Sequence, residues 1–264
     1  MDCAPGGWGL CSTLNMSYPV LALILSALTL LSDPSTRQGS PAPTRWFPVD
    51  DSRERRVPVA VYEPGPEARR HSRLVLLSPG VGVPNTEYGF LAKALTAAGY
   101  AVLSVQHLLP TDPAPPSGDG LSQYLKKSMQ EGVLNLRFIV ATAARHWPWV
   151  DQGQVILIGH SHGGDVSALM GTESPEMVAD LVTLDHGRVR LPRASRPRQL
   201  SLRAGEREPD RGVLPTAKEQ RRFGIQVVRI AGAKHMDFTD SGPAEVRRKV
   251  VEEVLKHLHR ADGR

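Results

Sequence analysis

Short apolar runs that alternate with stretches of helical periodicity constrain this 264-residue chain more than any other feature. The runs are residues 74–77 (LVLL), 101–105 (AVLSV), 155–158 (VILI), 181–184 (LVTL), 200–202 (LSL) and 225–230 (IQVVRI). Runs so short and so continuously apolar are what strands buried on both faces require. Two earlier strands are expected in RWFPVDD and RVPVAVYEP. Between the runs, Leu91, Ala94, Leu95 and Ala98 share one helical face, ended by Gly99 where a C-terminal cap favours glycine. A longer helix places Leu125, Met129, Val133, Leu136 and Val140 on one side, and a last helix opens at Pro243 and aligns Val246, Val250, Val254 and Leu258. Strand alternating with helix predicts an α/β fold: a mostly parallel sheet, right-handed crossovers and helices on both faces.

With 41% hydrophobic and 22% charged residues the chain can bury one sizeable core, which excludes a disordered chain and a disulfide mini-protein. The only cysteines, Cys3 and Cys11, precede the part that reads as folded, so that part has no disulfide, zinc-thiolate set or cysteine nucleophile. The net charge of +5 is too small an excess to name nucleic acid as a partner. Residues 20–31 (VLALILSALTLL) are too few to span a bilayer as a helix but fit the apolar region of a secretory signal, and the polar Pro/Ser-rich stretch 32–44 follows. The expected organisation is a signal-like segment and linker over 1–44 and one catalytic domain over 45–264. That organisation implies export, or anchoring by the apolar segment, with a cytoplasmic location left open.

The chemistry is written most clearly in Gly159-His160-Ser161-His162-Gly163, a G-x-S-x-G that follows the run VILI and opens the helical stretch DVSALM. Glycines two before and two after let the chain turn sharply, so the serine oxygen projects above the sheet at a helix N-terminus. A serine at its free pKa is a poor nucleophile and needs a base. His235, in the loop AKHMDFTDSG after the last strand, lies at the same edge of the sheet as the elbow. Three carboxylates compete to orient its imidazole: Asp185 directly at a strand end, and Glu206 and Asp210 in the loop one strand later. All three keep the chain order Ser, acid, His. Acyl transfer also needs donors for the developing oxyanion. The expected ones are the N–H of His162 and that of Val81, in the loop Ser78-Pro79-Gly80-Val81-Gly82.

On the stretches LVLLSPGVGVPNTEYGFLAKALTAAGYAVLSVQH, ILIGHSHGGD, LVTLDHGRV and IAGAKHMDFTDSG, the chain resembles the α/β-hydrolases. More narrowly, it looks like the branch of platelet-activating-factor acetylhydrolases and dienelactone-hydrolase-like bacterial esterases. The resemblance implies ester hydrolysis through Ser161, Asp185 and His235, no cofactor and a small-molecule ester substrate, because that branch takes its acid from the strand after the nucleophile strand. Where the branch reads S-H-G-x-G in the oxyanion loop, this chain has Pro79, which carries no N–H, so the hole must rely on residues beyond it.

Other readings compete. His160, His162 and Asp165 form an H-x-H with a following aspartate, but the next positions of a metallo-β-lactamase-type pattern hold Gly164 and Asp165, so no metal is expected. His107 reads as a satisfied strand-end histidine or a pocket wall. Arg188, Arg190, Arg193, Arg196 and Arg198 lack interleaved aromatics and read as a solvated loop, with contact to an anionic lipid surface as the functional alternative. Too few residues separate Asp185 from the next strand for a helical cap domain, so access is expected to be governed by loops, chiefly 108–120. A serine ester hydrolase, a metal-dependent hydrolase and a catalytically inactive binding protein on the same fold are the three function classes left.

Overall fold

The computed structural model describes residues 42–69, 72–151 and 153–259. The apolar run 20–31, most of the linker after it, Cys3 and Cys11 lie outside the described residues. In chain order the strands are β1 (Thr44–Trp46), β2 (Val49–Asp50), β3 (Arg55–Arg56), β4 (Val59–Tyr62), β5 (Leu74–Ser78), β6 (Ala101–Val105), β7 (Val155–His160), β8 (Val178–Leu184), β9 (Arg198–Arg203) and β10 (Gln226–Arg229). The helices are α1 (Gly89–Ala97), α2 (Gly120–His146), α3 (His162–Glu173), α4 (Ala217–Phe223) and α5 (Ala244–His259).

Eight strands form one sheet in the order β1-β4-β6-β5-β7-β8-β9-β10, antiparallel at β1/β4 and β4/β6 and parallel from β6 onward. The pleat sends successive side chains to opposite faces. Val75, Leu77, Ile156, Ile158, Val182 and Leu184 therefore pack beneath α1 and α5, while Leu74, Leu76, Val155, Leu157 and Leu181 pack beneath α2 and α3. Helices thus cover both faces of a mostly parallel sheet, and only residues 185–197 lie between β8 and β9, with no cap domain among the described residues. This is the α/β-hydrolase fold. No helix among the described residues is long and apolar enough to cross a membrane.

Several expectations shift in detail. The first strand begins at Thr44, one residue before the expected domain start, and the two early strands are broken up, with β2 and β3 pairing as a separate hairpin. In α1 the buried face is Leu91, Ala92 and Leu95, leaving Ala94 half-buried and Ala98 exposed. In α2, Ile139 and Ala143 are buried and Val140 is only half-buried, because at 3.6 residues per turn the last four-residue step carries Val140 to the edge of the buried face. The helix α5 buries Val246, Val250, Val254 and Leu258 as expected. The basic stretch is only partly solvated. Arg193 donates to the carbonyls of Leu191, Gly212 and Leu214, and Arg198 and Arg73 both pair with the buried Asp180.

Candidate active site

The β7–α3 turn is forced by close packing. A Cβ on Gly159 would lie 2.1 Å from the Gly163 carbonyl oxygen, and one on Gly163 would lie 2.1 Å from that of Ser78. No side chain fits at either position, so the helix can start directly over the strand. Ser161 between them adopts φ +52° and ψ −122°, and its N–H donates to Leu184 O at 2.9 Å. A non-glycine residue in such a conformation costs on the order of 1–3 kcal/mol and persists only where its surroundings over-determine it. Among the described residues the non-glycine positions of positive φ are Glu54, Ser161 and Asp185, so two of the three belong to this site.

His235 opens a short 3-10 turn after β10. Its Nε2 lies 2.9 Å from Ser161 Oγ and its Nδ1 2.6 Å from Asp185 Oδ2. Asp185 follows β8 with its N–H on Leu202 O, and its side chain is shut off from solvent. The other carboxylate oxygen accepts from the Ala204 N–H at 3.0 Å and pairs with Arg203 at 3.1 Å. Burial alone raises the pKa of this carboxyl. The His235 hydrogen bond, the Arg203 charge and the Ala204 N–H outweigh that and hold it below the ordinary carboxylate range.

The rival acids do other work. Glu206 Oε1 accepts from the main-chain N–H of His235 at 2.6 Å. Asp210 stands in a turn, its N–H on Gly187 O and its own carbonyl accepting from Val213 N–H. The structure therefore brings Ser161, His235 and Asp185 together, places Glu206 behind the histidine's backbone, and leaves Asp210 on the rim of the same cleft.

That cleft, about 240 Å³, is lined by Ser161, His162, Val81 and His235 among others. No acceptor among the described residues takes the N–H of Val81 or of His162, and both residues border the space in front of Ser161. Gly80 packs on the elbow so closely that a Cβ there would lie 3.3 Å from Ser161 Cβ.

The three groups of the H-x-H-plus-aspartate pattern point apart. His160 faces Tyr88 and the His235 carbonyl, and His162 Nε2 faces Ser128 Oγ at 3.3 Å. Asp165 Oδ1 accepts from the N–H groups of Arg188 and Val189. Among the described residues no three His, Cys, Asp or Glu side chains are grouped to hold a metal ion. His107 is buried with Nε2 on Ser78 Oγ at 2.9 Å and no partner on Nδ1 among the described residues, so it is only half satisfied, and it borders a separate cavity of about 700 Å³ rather than the cleft at Ser161. Burial pushes His107 down to about 3 and His160 and His162 down to about 4, so all three are neutral at pH 7.

Sequence reasoning missed Tyr88 and Arg203, which meet the site through contacts of long sequence separation. Arg203 carried a faint signal as a charged residue ending an otherwise buried strand.

No protein-family model and no curated protein matches the sequence. Solved structures match in fold. The apo form of Thermogutta terrifontis esterase 2 is 13% identical, with a TM-score of 0.63, covering 85% of this chain and 96% of that one. The same esterase phosphonylated by cyclosarin is 14% identical with a TM-score of 0.62, and covers 85% and 96%. Its butyrate-bound form is 12% identical with a TM-score of 0.61, and again covers 85% and 96%. At this identity the likeness is one of fold.

Proposed function

We propose that the protein is a serine carboxylic-ester hydrolase that works through Ser161, His235 and Asp185 and an acyl-enzyme intermediate. The observation that carries this reading is the continuous chain from Ser161 Oγ through His235 to Asp185. Its strand-elbow-helix setting turns the serine toward an open cleft. Ser161 Oγ attacks the ester carbonyl while His235 Nε2 takes its proton, and Asp185 holds the imidazole by Nδ1–H and stabilises it once charged. The tetrahedral oxyanion faces the N–H groups of Val81 and His162, which need not reorganise as the charge develops. His235 then returns the proton to the departing alcohol, and water repeats the sequence on the acyl-serine.

The substrate is a small or lipid-like ester, and no cofactor is needed. The neighbouring esterase supports a small acyl group and a reactive nucleophile: one form of it is bound to butyrate and another is phosphonylated by cyclosarin, the reaction expected of an activated nucleophile. The position of Asp185 after the strand next to the elbow strand supports the acetylhydrolase-like branch. The domain over 45–264 is proposed to act by itself behind an exported or membrane-anchoring N-terminus.

Treatment with a fluorophosphonate followed by peptide mapping tests the reading, alongside a panel of p-nitrophenyl esters. Covalent mass on Ser161 and turnover of short esters are expected. No adduct and no turnover would leave an inactive binding protein, and chelator-sensitive turnover without an adduct would leave a metal-dependent hydrolase.

A further inference from the structure

The main chain of His235 is gripped as firmly as its ring. Its N–H donates to Glu206 Oε1, and its carbonyl oxygen accepts from His160 Nε2 at 3.0 Å. A carbonyl can only accept, so Nε2 of His160 carries the ring proton and Nδ1 carries a lone pair. That lone pair lies 2.9 Å from the hydroxyl of Tyr88, which must therefore donate to it. The same hydroxyl oxygen accepts from the N–H of Gly80 at 3.0 Å. The polarity of the whole series is thus set from one end: Gly80 N–H to Tyr88 O–H to His160 to the His235 carbonyl.

Both side chains are almost wholly buried, Tyr88 and His160 each being 1% exposed. Phenylalanine and leucine would fill such space without the cost of desolvating a hydroxyl and an imidazole. The polar atoms are used instead to join two loops of opposite function. Gly80 precedes Val81, a proposed oxyanion donor, and His235 is the proposed base. The rings reinforce the link, with His160 stacked obliquely on His235 at 4.8 Å and edge-on to Phe238 at 6.2 Å.

We propose that Tyr88 and His160 form a hydrogen-bonded strut that sets the distance between the oxyanion loop and the general base, and that both are positioning residues for the hydrolysis. The inference rests on the reading of Ser161, His235 and Asp185 as the reacting groups. Neither strut residue needs to touch the substrate, so the strut governs the rate of acyl transfer and leaves ground-state binding unchanged. Misplacement by about 1 Å at a reacting group costs up to about a hundredfold.

The test is Tyr88→Phe, which removes one oxygen and keeps the ring. Its rate of fluorophosphonate labelling at Ser161, and its kcat and KM on a short p-nitrophenyl ester, are compared with wild type. A kcat lowered about 10- to 100-fold, a KM within about twofold and slower labelling in the same proportion support the strut. Labelling and kcat within about twofold of wild type, with only the melting temperature lowered, would make Tyr88 a packing residue and overturn it. A wild-type protein that takes no label overturns the hydrolase reading itself, an outcome distinct from the previous one. Should Tyr88→Phe fail to fold, nitrogen-15 shifts of the wild-type histidine rings decide. His160 protonated on Nε2 and unprotonated on Nδ1 at pH 7 supports the strut, and the reverse tautomer overturns it.

Discussion

Behind Ser161, toward His235, the walls are polar groups joined by hydrogen bonds: Asp185 to the ring, Glu206 and His160 to the backbone, Tyr88 to His160 and to the Gly80 N–H. On the far side of Val81 from the cleft that Ser161 lines, the loops 81–86 and 108–115 border a separate open groove of about 670 Å³, with Leu108, Leu109, Pro113 and Tyr124 also among its walls. Phe47 and Val81 there are each 46% exposed. The loop 108–115 is pinned from below through Arg55, which grips Asp112 with two nitrogens at 2.8 and 2.9 Å. On the proposed reading, the difference shows how one scaffold divides its labour. Reacting groups must be held to fractions of an ångström, which takes directional bonds, whereas an apolar substrate portion is recognised by area, which loops can supply and vary.

If the rear side carries the chemistry, Ser161→Ala has the largest effect of any change. Ester turnover falls on the order of 10⁴-fold or more with an unchanged circular dichroism spectrum, and activity above a tenth of wild type would sink the assignment.

Next comes Asp185→Asn, expected to cost about 10⁴-fold, because the imidazole loses its tautomer and the partner of its charged form. Glu206→Gln keeps an acceptor for the His235 N–H and should cost about tenfold or less, and Asp210→Asn less again. Steady-state rates at one pH, with matched spectra, check the order. An Asp210 or Glu206 variant more damaged than Asp185→Asn would transfer the acid role.

Acid should loosen the buried histidines of both sides. Burial holds His160 and His162 at about 4, and His107 and the fully buried His186 that follows Asp185 at about 3, so the folded protein keeps them neutral. Once unfolded they accept protons near pH 6.5. Their contribution is therefore complete above pH 6.5 and is lost as the pH falls from there toward 4 for His160 and His162 and toward 3 for His107 and His186. The slope is up to about 1.4 kcal/mol per pH unit for each group, hence up to about 5 kcal/mol per unit together. Melting temperatures between pH 7 and 4.5 should fall steeply, and a flat profile would show that these rings are not buried neutral.

Changes on the groove side should be small and selective. Tyr124 borders both the apolar groove and the cavity beside His107, so Tyr124→Ala is expected to lower kcat/KM a few-fold on hexanoyl and longer esters while leaving acetyl esters within about twofold. An equal loss on all chain lengths would mean that the loop serves the chemistry as well. Smallest of all is the effect of a chelator. His160, His162 and Asp165 have separate partners, so prolonged dialysis against chelator should leave turnover unchanged, and loss restored by zinc would overturn the mechanism.

What the sequence by itself determined is the buried strands and the elbow, since both are local. Five residues of apolar run are enough to bury a strand, and G-x-S-x-G between strand and helix leaves the chain one way to turn. Signals weaken where burial does: α4 buries none of its seven residues and so left no periodicity to read. Only the tertiary structure decided which carboxylate meets the ring of His235. Asp185, Glu206 and Asp210 are all acidic, all near strand ends and all in the right chain order. Their difference arises because β8 lies between β7 and β9, so that Asp185 leaves β8 beside the elbow and under Arg203 and Ala204. Tyr88 was illegible for the same reason: it meets His160 across 72 positions of chain. Hydrogen-bond partners at that separation are chosen by strand order, and strand order is a property of the whole sheet.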